Sequence, residues 1–108
     1  METKSMTKEE AKMLLSNKKI ACFSKKETIA VQKKLLKTGF VWVDSTRIVY
    51  DDTFLIFTRE DEFMFSTDSI RFWMSDCTEK IEASEILAIQ IKEEDSYFCL
   101  LSWEFRSN

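Results

Sequence analysis

Apolar positions recur at helical spacing most clearly in one stretch, Ser24 to Trp42 (SKKETIAVQKKLLKTGFVW). Ile29, Gln32 or Lys33, Leu36 and Phe40 follow one another along a single face, and Val31 and Leu35 widen the stripe. Ser24 stands at the N-cap with Glu27 three residues on. At this spacing the serine oxygen accepts from the Glu27 N–H, while the Glu27 carboxylate reaches back to the Ser24 N–H. Gly39, the chain's one glycine, falls where a helix needs a left-handed terminating residue. Short apolar runs flank the helix, Ile20 to Phe23 before it and Phe40 to Val43 after it, so a β-α-β unit is expected as the nucleus of the fold.

Thr7 and Glu10 repeat the capping-box spacing upstream and predict a short helix. Ala11, Met13, Leu14 and Leu15 are available for burial, and Asn17 is available to end it. Residues 1–6 read as a frayed tail. Lys19 to Phe23 reads as the first strand. Beyond Val41 the period changes. Asp44 to Thr46 reads as a turn, Arg47 to Tyr50 as a short strand, and Asp51-Asp52 as a second turn. Phe54 to Phe57 and Phe63 to Phe65 read as hairpin partners, joined by a loop built on a type I turn. Ile70 to Met74 is apolar but too short for its period to assign it. Lys80 to Ile91 reads as extended chain, one helical turn at Ser84 to Leu87, then a strand. Tyr97 to Phe105 reads as an apolar interior strand. At 108 residues, without proline or any linker-like tract, the chain makes one domain. The expected fold is α+β, a mostly antiparallel sheet of about five strands with one main helix on one face and a short N-terminal helix.

Charge alters this picture by its distribution. Residues 1–40 carry ten lysines against four acids, and residues 41–108 carry six basic residues against fifteen acids. The molecule is expected to have a basic end and an acidic end. Lys25, Lys26, Lys33, Lys34 and Lys37 occupy the polar face of the central helix. That face could meet phosphates, with Trp42 or Phe23 stacking on a base, or simply be solvated. An overall charge of −3 and only four arginines weigh against nucleic acid.

Catalytic sets are scarce. Without histidine the commonest general base is absent, and one glycine cannot build a phosphate-binding loop. Asp51-Asp52, Glu60 to Glu62 and Glu93 to Asp95 lack the spacing of a calcium loop and read as solvated turns. Cys22, Cys77 and Cys99 form no metal-binding pair; two of them could form a disulfide, but buried free thiols are the expectation, which points to the cytoplasm. The N-terminus has no apolar signal region, and no apolar run reaches the roughly 18 residues of a membrane span. No catalytic residue, cofactor or metal is expected, and no oligomeric state is assigned. Fourteen aromatics exceed what the core requires, so some are expected at the surface, where aromatic side chains favour protein interfaces. Trp42, Tyr50, Phe72, Trp73 and Trp103 stand beside acids or turns; the first four are the candidate protein-binding residues, and core packing is the alternative for each.

Two segments carry a resemblance: Gln32-x-x-Leu35-x-x-x-Gly39-Phe40-x-Trp42, and Ile81-x-Ala83-x-Glu85-Ile86-Leu87-x-Ile89. Over residues 19–91 the chain resembles a loose class of small α/β proteins encoded by phages and other mobile elements of bacteria. Tyr97 to Phe105 goes beyond that pattern. The resemblance implies an accessory protein that acts by binding a host protein, such as a component of antiviral defence. The alternative is a small nucleic-acid- or nucleotide-binding module using the lysine face.

Overall fold

The computed structural model describes residues 4–92. The capping signals act where their spacing places them. In α1 (Lys8–Leu15) the Glu10 N–H donates to Thr7 Oγ1 at 3.1 Å and the Thr7 N–H donates to Glu10 Oε1 at 2.9 Å. The chain leaves the helix through Asn17, whose φ of 56° is left-handed. Ala11 and Leu15 point into the core, whereas Met13 and Leu14 stay exposed. In α2 (Lys25–Thr38) the Glu27 N–H donates to Ser24 Oγ at 3.1 Å. The Glu27 carboxylate reaches one residue further back than expected and accepts from the Phe23 N–H at 2.8 Å.

Gly39 ends α2 at φ 123°, donating to the Leu35 and Leu36 carbonyls. A Cβ there would stand 3.0 Å from Lys12 Cε, a flexible contact that can yield. The positive φ cannot yield, because left-handed backbone brings a Cβ against the following carbonyl. Gly39→Ala is therefore expected to destabilise the fold by about 1–2 kcal/mol, and valine by more. Urea unfolding checks this, and an unchanged midpoint would contradict it.

A five-stranded sheet runs in the order β3 (Val41–Trp42), β5 (Phe63–Thr67), β4 (Leu55–Thr58), β2 (Lys18–Ala21), β6 (Glu79–Lys80). Its two central pairings are antiparallel, with Ile20 opposite Ile56 and Phe57 opposite Phe65, and its two flanking pairings are parallel, so the sheet is mixed. β2 and β3 are parallel, as a β-α-β unit requires, but the β4–β5 hairpin lies between them. The hairpin turn places Glu62 at φ 71°. Segment 47–50, expected as a strand, joins no ladder. Gln32 and Trp42 hold it by its main chain instead. Residues 4–6, expected in a frayed tail, lie in β1 (Lys4–Thr7), which pairs in parallel with β7 (Ile89–Lys92) in a separate two-stranded sheet. Tyr97 to Phe105 and Glu93 to Asp95 lie outside the described residues.

The strand period of two separates the faces. Ile20, Trp42, Ile56 and Met64 face the helical side and pack with Val31, Leu35 and Leu36 of α2, Ala11 and Leu15 of α1, and Ala83 and Ile86 of α4 (Ala83–Leu87). Phe40 is the largest fully buried side chain. Phe57 and Phe65 point to the opposite face, where their rings stack at 4.9 Å. There one short helix, α3 (Ile70–Ser75), lies over them. Among the described residues no helix is long and apolar enough to cross a membrane.

A candidate docking surface on the outer helix

The outer helix is built by local polar contacts. Thr67 Oγ1 accepts from the Ser69 N–H at 3.1 Å, and Ser69 Oγ accepts from the Phe72 N–H at 3.1 Å, which opens the helix. At the other end the Asp76 N–H donates to the Phe72 carbonyl at 3.1 Å. Asp76 Oδ1 accepts from the Thr78 N–H at 2.8 Å, which fixes the exit. Contacts with Thr78, above all with its side chain, hold the Asp76 carboxyl below the usual carboxylate range, and Lys19 adds to this.

A buried lysine fastens this helix to the sheet. Lys19 projects from β2, and its ammonium donates to the Trp73 carbonyl at 2.6 Å and to the Asp76 carbonyl at 2.8 Å. It sits 4.5 Å from the Trp73 ring centroid. A cation at a helix C-terminus meets unpaired carbonyls, and a cation over an indole meets the negative face of the ring. Trp73 is buried, and its Nε1 finds no acceptor among the described residues. Phe72 lies over Phe57 with ring centroids 5.7 Å apart. These contacts account for how α3 is held and cover about half of Phe72, but they leave Ile70 and Met74 55% and 69% exposed. Ile70 and Met74 stand four residues apart and share one exposed side of the helix.

Beside the start of α3 lies an open recess lined by Asp52, Thr53, Phe54, Leu55, Ser66, Thr67 and Asp68. Phe54 and Leu55 give it apolar wall, and its other groups are two carboxylates and three hydroxyls. Among the described residues no group of three Cys, Asp or Glu side chains converges to hold a metal ion.

The four aromatic candidates separate into two pairs on opposite faces of the sheet. Trp42 is buried in the main core, and its Nε1 donates to the Ile48 carbonyl at 2.7 Å. Tyr50 meets its ring edge-on at 5.7 Å and is partly exposed. Trp73 is the buried anchor of α3, and Phe72 is its exposed neighbour. Ile70 and Met74 escaped the sequence reading. Their signal is a mostly apolar run, interrupted by Arg71, that is too short to reveal which way each residue faces.

Of the lysine face, Lys25, Lys26, Lys33 and Lys37 are exposed. Lys34 is partly buried and donates to the Ile89 carbonyl, and burial, with Lys37 second, lowers its pKa. Cys22 is a buried free thiol, its pKa pushed up to about 11 by burial. Cys77 is a free thiol too, but it is exposed rather than buried, and Cys99 lies outside the described residues. Compared with protein-family models, with curated proteins and with solved structures, the chain has no match.

Proposed function

We propose that this is a non-catalytic binding protein that docks on another protein through α3 and the recess at its start. In the terms of the resemblance over residues 19–91, it is an accessory factor of a phage or mobile element that inhibits or modulates a host protein in the cytoplasm. The observation that carries this reading is the exposure of Ile70 and Met74 on a six-residue helix already fastened by Trp73, Phe72 and Lys19. Folding makes no use of Ile70 and Met74 in solvent, and exposed apolar side chains that share one helix face mark an interaction site. The second reading, phosphate binding through Lys25, Lys26, Lys33 and Lys37, has their exposure in its favour.

Capture from bacterial lysate separates the two. The wild-type chain is expected to retain a protein that the Ile70→Ser/Met74→Ser variant loses and that Lys26→Glu/Lys33→Glu keeps. A shift of short DNA or RNA that weakens steeply between about 50 and 200 mM salt, and that disappears in the lysine reversal, would replace this reading with the second.

A further inference from the structure

We propose that the α3 face takes a cationic amphipathic segment of another protein. Apolar side chains of that segment cover Ile70 and Met74, and its lysines or arginines reach the acids around them. This rests on the reading of α3 as a docking surface and names the chemistry of what docks. The argument is charge complementarity around an apolar centre.

Asp68 immediately precedes the helix cap, Asp76 closes the helix and Glu79 follows in β6. Arg71 is the one basic residue on the helix itself. Over residues 51–79 the chain carries eight acids and two arginines. Some of that charge is neutralised internally, since Glu62 pairs with Lys12 at 3.2 Å, Glu79 with Lys18 at 3.1 Å and Asp61 with Arg59 at 2.8 Å. Asp52, Asp68 and Asp76 are in no ion pair among the described residues. Asp52 and Asp68 line the recess together with Phe54 and Leu55. A lysine or arginine suits such a lining, because its stem is apolar and only its head is charged.

The same acids repel other occupants of an apolar face. Anionic lipid and nucleic-acid phosphate would meet like charge. A second copy could offer its own exposed Phe23 with Lys25 and Lys26. That contact joins two different patches, however, and such head-to-tail contacts extend into open chains unless the rotation closes.

The test uses the full chain and two designed helical peptides of equal length, with leucine at the same positions and either lysine or glutamate elsewhere. Fluorescence anisotropy is expected to show the lysine peptide binding at least about tenfold more tightly, with an affinity that falls from about 50 to 200 mM salt. Ile70→Ser/Met74→Ser leaves the net charge untouched and should weaken the lysine peptide about tenfold, which separates docking from loose attraction to an acidic protein. Asp52→Asn/Asp68→Asn should narrow the preference between the peptides. Equal binding, a preference for the glutamate peptide, binding by neither, or binding indifferent to α3 would overturn the proposal. So would concentration-dependent association of the chain with itself that the α3 variant abolishes. If neither peptide binds while α3-dependent capture from lysate persists, the docking reading stands and only the cationic assignment falls; if capture ignores α3, both fall.

Discussion

Phe40→Ala is expected to lower stability by about 3–5 kcal/mol, the cost of deleting a fully buried aromatic and leaving a cavity that close-packed neighbours fill only in part. Phe40 has no solvent exposure, and its N–H donates to the Leu35 carbonyl at 3.0 Å, directly after Gly39 turns the chain out of α2. Its side chain belongs to the cluster in which α1, α2 and the sheet meet. A domain of this size has roughly 5–15 kcal/mol in all, so the loss takes a large share of the total. Urea unfolding should show a markedly lower midpoint. An unchanged midpoint would mean that Phe40 faces solvent and that the helix–sheet packing is wrong.

Gln32→Leu is expected to cost about 2–4 kcal/mol although it adds apolar surface to a buried site, because it strands two main-chain groups. Gln32 is fully buried on α2 and pairs with the Tyr50 main chain as a neighbouring strand would: its Oε1 accepts from the Tyr50 N–H at 2.8 Å, and its Nε2 donates to the Tyr50 carbonyl at 2.7 Å. Nε2 also donates to Thr28 Oγ1 at 2.9 Å, and that hydroxyl donates to the Thr53 carbonyl. One helix face thus fastens a loop that no ladder holds. Amide exchange resolves the effect by position. The Tyr50 N–H should lose protection in the variant while those of β4 and β5 keep most of theirs. Uniform loss across the sheet would make Gln32 an ordinary core residue.

What was legible in the chain was local. Thr7 with Glu10, Ser24 with Glu27, and Gly39 after Thr38 signal helix ends because a cap depends on neighbours within a few residues. The hairpin of β4 and β5 was legible for the same reason. The place of β3 beside β5 was not, since a parallel pair forms across a long connection that leaves no local mark. Segment 47–50 was misread because Ile48, Val49 and Tyr50 look like a strand, and nothing nearby reveals that Gln32 supplies the pairing. The candidate site was the least legible part. Aromatic content can announce surplus rings, but whether Trp73 or Phe72 turns outward depends on a buried lysine fifty-four positions away.

The central claim is that Ile70 and Met74 serve binding and not folding. One paired measurement on Ile70→Ser/Met74→Ser addresses it, the urea midpoint set beside capture from lysate. Both side chains are exposed, and serine is close to isoleucine in helix propensity, so each change should stay within about 0.5 kcal/mol. The account predicts a near-wild-type midpoint with capture lost. A loss of about 2 kcal/mol or more, with capture unchanged, would contradict it and make α3 a cover for the sheet and nothing else.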